Sequence, residues 1–179
     1  MKINISVILL SLLISSCSML ETKDEVSVDE PFFENAKSMK VSTVVNNFVT
    51  IAQLESASYE FADKSNKVIN DVDSFETFWN QLYSSRDNPP QLPDVDFSKY
   101  TVVAAMMGIQ DTGGHSIDVV KVAEANNIIG VKIAEMEPAR NCVVTEALTS
   151  PFHIIKVEKN DATDFKFSTE RTIYECDTE

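Results

Sequence analysis

The sequence predicts an α+β domain: a mostly antiparallel β-sheet with one amphipathic helix packed on it. Three observations carry this. Phe75, Phe78, Trp79 and Leu82 recur at i, i+3, i+4 and i+7, a single helical stripe. Beyond Pro93 the apolar period changes to two, as in Ile129, Val131 and Ile133. Short apolar segments separated by turn-forming residues continue to the C-terminus, the pattern of strands met in succession.

The elements follow in order. Val44–Leu54 is a candidate strand, followed by Ser58–Phe61 and by a short β-like piece at Val68-Ile69. The helix is expected over Ser74–Tyr83, with Asp73 as its cap and Glu76 completing a capping box. Its bulky stripe reads as core, facing a sheet. Asn88-Pro89-Pro90 and Pro93 end it, since proline lacks the amide proton and restricts the residue before it. Tyr100–Met107 is nearly continuous in apolar residues, as for a strand buried on both faces. His115–Val122 is the next strand, with Ile117 and Val119 on one face and Val120 and Val122 on the other. Glu124-Ala125-Asn126-Asn127 supplies a turn into a half-exposed strand at Ile129–Ile133, making an antiparallel hairpin. Phe152–Val157 is a further strand, and Phe165–Phe167 and Thr172–Tyr174 are two short ones. The sum is one helix and six to eight strands.

The first residues are of a different kind. Lys2 precedes an apolar run, Ile3 to Ile14, and Ile14-Ser15-Ser16-Cys17 closes it. At about 12 residues the run is short of the roughly 20 that a membrane-spanning helix needs. Its charged start and small-residue exit fit a cleaved signal peptide, and the cysteine makes it a bacterial lipoprotein signal. Residues 1–16 are therefore expected to be removed and Cys17 to be acylated, palmitate being one of its chains. Stable attachment needs more than one chain. Ser18 stands where an aspartate would favour inner-membrane retention. The expected location is the outer membrane, facing the periplasm or the cell surface. Residues 17–41 read as an acidic tether, with a flexible-coil span on the order of 25 Å for about 20 residues. Residues 42–179 then form a single domain with one core.

The formal net charge is −13, and loss of the leader with Lys2 takes it to about −14. Such a chain is poorly suited to nucleic acid, whose phosphates require Lys and Arg to displace counterions. With Cys17 acylated, Cys142 and Cys176 remain, and an oxidising compartment favours their pairing. A disulfide there contributes roughly 3–4 kcal/mol by loop-closure entropy. The alternative is a nucleophilic Cys142 or a metal thiolate. It has no CxxC to support it, and only His115 and His153 as histidines.

Residues 95–158 carry a family resemblance. Asp96-Phe97 precedes the strand Val102-Val103-Ala104, and Gly108 leads to the turn Thr112-Gly113-Gly114. Ser116-Ile117 and Val131-Lys132-Ile133 follow, then Pro138 and the run from Val144 through Pro151 to Ile155. In order and spacing this block resembles the protease complex subunit PrcB family, C-terminal domain, and the Phe75-Phe78-Trp79 helix resembles the one preceding that domain. His115 departs from the pattern, which has an aromatic after the two glycines. The resemblance implies an exported, often lipid-anchored protein without catalysis of its own, whose family namesake is associated with a surface protease complex.

The functional expectation is an interaction or stabilising module for an exported partner, a protease or another envelope protein, with the membrane as a second partner through the lipid. Thr112, Gly113, Gly114, His115 and Pro151 are the candidate binding loop, with edge-strand addition as the natural mode. No cofactor, metal site or catalytic residue is expected. The competing reading is a small metal-dependent or Ser/His hydrolase using His115 or His153, with Ser150 and Asp118 completing a set. It lacks a GxSxG elbow and an HExxH motif. Asp71-Val72-Asp73 and Asp94-Val95-Asp96 lack the central glycine and terminal glutamate of a calcium loop.

Overall fold

The computed structural model describes residues 47–54 and 61–176. The expected leader, acylated Cys17 and tether lie outside the described residues, as do 44–46 and 58–60 of the first candidate strands. The observed order is β1 (Phe48–Leu54), β2 (Ser65–Ile69), α1 (Val72–Leu82), β3 (Tyr100–Met106), β4 (Ser116–Ala125), β5 (Ile128–Pro138), β6 (Phe152–Glu158) and β7 (Asp164–Tyr174). The class is the α+β class that the sequence predicts, built as two sheets. One has strand order β1-β6-β3-β2 and the other β4-β5-β7.

Three layers result, with α1 and the three-stranded sheet on opposite faces of the four-stranded one. The central strands β3 and β6 explain why. Val102, Ala104, Met106, Phe152 and Ile154 face the helix side, packed with Phe75, Phe78, Trp79 and Leu82. Val103, Ala105, Ile155 and Val157 face the other side, packed with Ile117, Val119, Val122, Ile129, Val131 and Ile133. Successive strand side chains alternate faces. A strand buried on both is therefore apolar on both phases, as in the run Val102–Met106 of β3.

The helix begins earlier than expected, and its cap is Asp71 rather than Asp73. The Asp71 carboxylate accepts from the Ser74 amide (2.8 Å) and from the Ser74 hydroxyl (2.9 Å). These bonds satisfy an otherwise orphaned first-turn donor and hold the Asp71 carboxyl below its usual pKa. Asp73 lies inside the first turn, where its negative charge complements the helix dipole. On the buried face Phe75 meets Trp79 and Phe97 edge-on, and the Trp79 indole donates to the Pro90 carbonyl at 3.0 Å. The proline-rich connection is thereby tied to the core.

In the β4–β5 hairpin, Asn126 and Asn127 both have positive φ (52° and 61°). This is the two-residue turn whose twist matches antiparallel strands. The register shifts between Val119 and Lys121. The bulge expels Val120, which is 51% exposed, and turns Val122 inward with Ile117 and Val119. Strict alternation placed Val122 on the opposite face, and the extra residue reverses that assignment. The two short C-terminal strands are in fact one, β7, paired parallel to β5 from Ile128↔Asp164 to Pro138↔Tyr174. Its polar centre, Ser168-Thr169-Glu170-Arg171, suits an edge strand with a solvent face. Phe61 belongs to no strand and packs its ring on Phe78.

Candidate functional site

The candidate loop follows β3 and lies against the connection from β5 to β6. The Met107 amide donates to the Pro151 carbonyl (2.9 Å), which fixes the start of the loop. Gln110 and Thr149 exchange both backbone bonds, at 2.8 and 3.0 Å. The Gly113 amide donates to the Thr145 carbonyl (2.9 Å), the Thr149 hydroxyl to the Thr112 carbonyl (2.8 Å), and the Tyr174 hydroxyl to the Gly114 carbonyl (3.0 Å). The structure thus joins Thr112, Gly113 and Gly114 to the 144–151 segment and to the end of β7. Gly114 has φ +85°, and a Cβ there would lie 2.8 Å from the Tyr174 hydroxyl oxygen. At Gly113 a Cβ would collide with the Thr145 hydroxyl oxygen. Gly114 is thus favoured by its backbone conformation and close packing, while at Gly113 a side chain would need the exposed Thr145 hydroxyl to rotate away. His115 places Nε2 3.4 Å from the Thr112 hydroxyl, and its buried Nδ1 has no hydrogen-bond partner among the described residues.

The same end of the sheet is closed by the disulfide Cys142–Cys176, with Cα atoms 5.1 Å apart. It ties the 139–149 loop to the chain just past β7. The thiols expected to pair do so.

His153 sits elsewhere, between the sheets on β6. Its Nδ1 accepts from the Val119 amide and its Nε2 pairs with the Thr50 hydroxyl, both at 2.9 Å. Because Nδ1 is an acceptor, the ring proton belongs on Nε2 and the imidazole is neutral. Burial lowers its pKa, and the Asp118 carboxylate at 3.5 Å only partly opposes this. Gln53 donates to both Asp118 and the Ile117 carbonyl. Asp118 and His153 therefore come together, but Ser150 does not complete a set with them, since its hydroxyl is directed to the Phe61 carbonyl at 3.4 Å. Among the described residues no group of three or more His, Cys, Asp or Glu side chains is placed to hold a metal ion. Asp96 organises the turn before β3: Lys99 and Ser98 hold its carboxyl down to about 2.

Sequence reasoning passed over two features. Glu135 is 1% exposed, with its carboxylate 2.6 Å from Lys64 and 3.7 Å from Arg171. It continues the inward phase of Ile129, Val131 and Ile133, so extending the period by one step would have found it. The second is a groove of about 530 Å³ between β2 and α1. It arises where two elements meet, and no local motif marks it.

Residues 101–158 match the family described as PrcB C-terminal. The PrcB C-terminal match begins within β3 and ends with β6, so it includes the hairpin, the glycine loop and His153. Helix α1, β1, β2 and β7 lie outside it. No curated protein matches the chain, and no solved structure does. Among the described residues no helix is long and apolar enough to cross a membrane.

Proposed function

We propose that the protein is a non-catalytic, lipid-anchored cell-envelope module that binds and stabilises an exported partner, a protease or another envelope protein. The observation that carries the reading is the PrcB C-terminal match over 101–158, taken with the lipoprotein signal that ends at Cys17. The chemistry of His153 supports it. A general base needs a free nitrogen directed at a substrate, and His153 has committed both of its own inside the fold. Acylation at Cys17 would hold the domain within a tether's length of the membrane. That restriction raises the effective concentration of a neighbouring envelope protein.

The test is chemical crosslinking in the native envelope at native expression, using a C-terminally tagged chain, with mass spectrometry of the mature N-terminus. An acylated Cys17 and a reproducible crosslinked envelope protein are the expected results. A chain that is not acylated and is recovered alone would overturn the proposal. His115→Ala and His153→Ala should leave partner recovery unchanged, whereas a hydrolase would lose its activity.

A further inference from the structure

A sheet has two edges, each a row of amide and carbonyl groups open to pairing. Among the described residues, three of the four outer strands are blunted. Strands β1 and β4 carry bulges, at Thr50/Ala52 and Val119/Lys121. Strand β7 presents Lys166, Glu170 and Arg171 along its length. Strand β2 has no bulge in its pairing with β3 and carries one charge, Lys67. No described strand pairs with its outer edge.

That edge is also the one beside a groove. Lys67 and Ile69 line it from β2, and Asp73, Thr77, Phe78 and Gln81 from α1. Its volume, about 530 Å³, is in the range of ligand sites. From Asp73 to Gln81 the helix wall runs about 12 Å at 1.5 Å per residue. This is the length of about four residues of extended chain. Only Asn70 and Asp71 separate β2 from α1, so Asp73 stands at the Ile69 end of the groove. Lys67 stands further back along the strand, its ammonium 5.9 Å from the centre of the Phe61 ring. Between the two charges the floor is apolar, made by buried Ile69 and Phe78.

We infer that this groove is a peptide-binding site, taking an extended segment of the exported partner as an added strand antiparallel to β2. The inference rests on the interaction-module reading above and names its site. Only a polypeptide backbone supplies alternating donors and acceptors at the spacing of a strand edge. The lining sets the side chains. One apolar residue faces Ile69 and Phe78, a cation two residues before it meets Asp73, and an anion two residues after it meets Lys67. Intervening residues point to the other face of the sheet and are unrestricted.

The probe is acetyl-Lys-Thr-Val-Thr-Glu-amide, titrated into the acylated mature chain in detergent micelles and followed by amide shifts. Saturable shifts at 65–69 and 74–81 are expected at millimolar peptide or below, the range for so small a contact. The charge-reversed peptide should bind several-fold more weakly. The same peptide methylated on its backbone nitrogens should not bind, because it cannot form the ladder. Thr77→Trp, which fills the groove from an exposed position, should abolish the shifts with the circular dichroism unchanged. Absence of saturable shifts, equal binding by the methylated peptide, shifts mapping to β7, or shifts at β2 on simple dilution of the protein (a second copy in the groove) would each overturn the inference. Undiminished crosslinking of the envelope partner by Thr77→Trp would sink the groove and leave the module reading intact. Loss of crosslinking in the unsubstituted chain would sink the module reading itself.

Discussion

Replacement of Gly114 by alanine separates a loop that packs from a loop held open for a ligand. The backbone at Gly114 has φ +85°, a conformation costing an L-residue about 1–2 kcal/mol. The new Cβ would also lie 2.8 Å from the Tyr174 hydroxyl oxygen and 2.9 Å from Val144 Cγ1. Crowding of that degree typically costs about 1–3 kcal/mol. Together the two effects predict a loss of about 2–5 kcal/mol. Equilibrium urea unfolding reads it through Trp79, the chain's only tryptophan, which is buried against β3 and β6. Tyr174→Phe alone removes the bond to the Gly114 carbonyl and should cost about 1 kcal/mol. In the double variant the hydroxyl oxygen is gone, so the combined loss should fall short of additivity by about 0.5 kcal/mol or more. A Gly114→Ala protein within about 0.5 kcal/mol of the parent would refute this reasoning. The glycine would then owe its place to something outside the fold, and the 112–115 loop would regain its claim as the binding element.

Reduction of the disulfide, or Cys142→Ser with Cys176→Ser, should destabilise the fold by about 3–4 kcal/mol for a separation of 34 residues. Thermal melting with and without reductant checks this, and a loss below about 1 kcal/mol would mean the β5–β7 ladder already holds that end closed. Asp71→Ala should lower the melting temperature more than Asp73→Ala, since only Asp71 accepts the Ser74 amide; equal effects would return the cap to the later residue. His153 is held below its usual 6.5 by burial, so the unfolded chain takes up this proton first as pH falls. Its contribution to stability is therefore full above about 6.5 and is lost as pH drops through the depressed folded value. Urea midpoints at pH 7.5, 6.5 and 5.5 should fall more steeply for the parent than for His153→Asn, and parallel slopes would contradict this assignment.

Physical locality decides which parts of this molecule the sequence makes legible. Strand β3 could be read because burial on both faces leaves a direct mark, a nearly continuous apolar run with no alternating polar phase. The stripe of α1 could be read for the same reason. Strand β7 was divided in two because its centre, Ser168-Thr169-Glu170-Arg171, is polar, and an edge strand requires no apolar pattern there. The Val120 bulge was missed because one extra residue inverts every later assignment of faces, and nothing in Val119-Val120-Lys121 announces it. The cap was misplaced by two residues since Asp71 and Asp73 both precede the stripe, and only one has Ser74 three residues on.

The same distinction applies to the sites. Paired glycines and histidines draw attention in a sequence because they are chemically distinctive, and here the fold gives Gly113, Gly114 and His153 internal contacts. Gly113 and Gly114 allow close packing on Thr145 and Tyr174, and His153 joins β6 to β1 and β4. The inferred groove is assembled from unremarkable residues, a strand edge that no described strand covers and a polar helix flank, brought together by the two-residue link at Asn70-Asp71. Recognition through backbone groups leaves little sequence signature, because any residue but proline supplies the same donor and acceptor. A module that binds by strand addition should therefore show its site in topology before it shows it in composition. In this chain the topology points to the outer edge of β2, which no described strand covers.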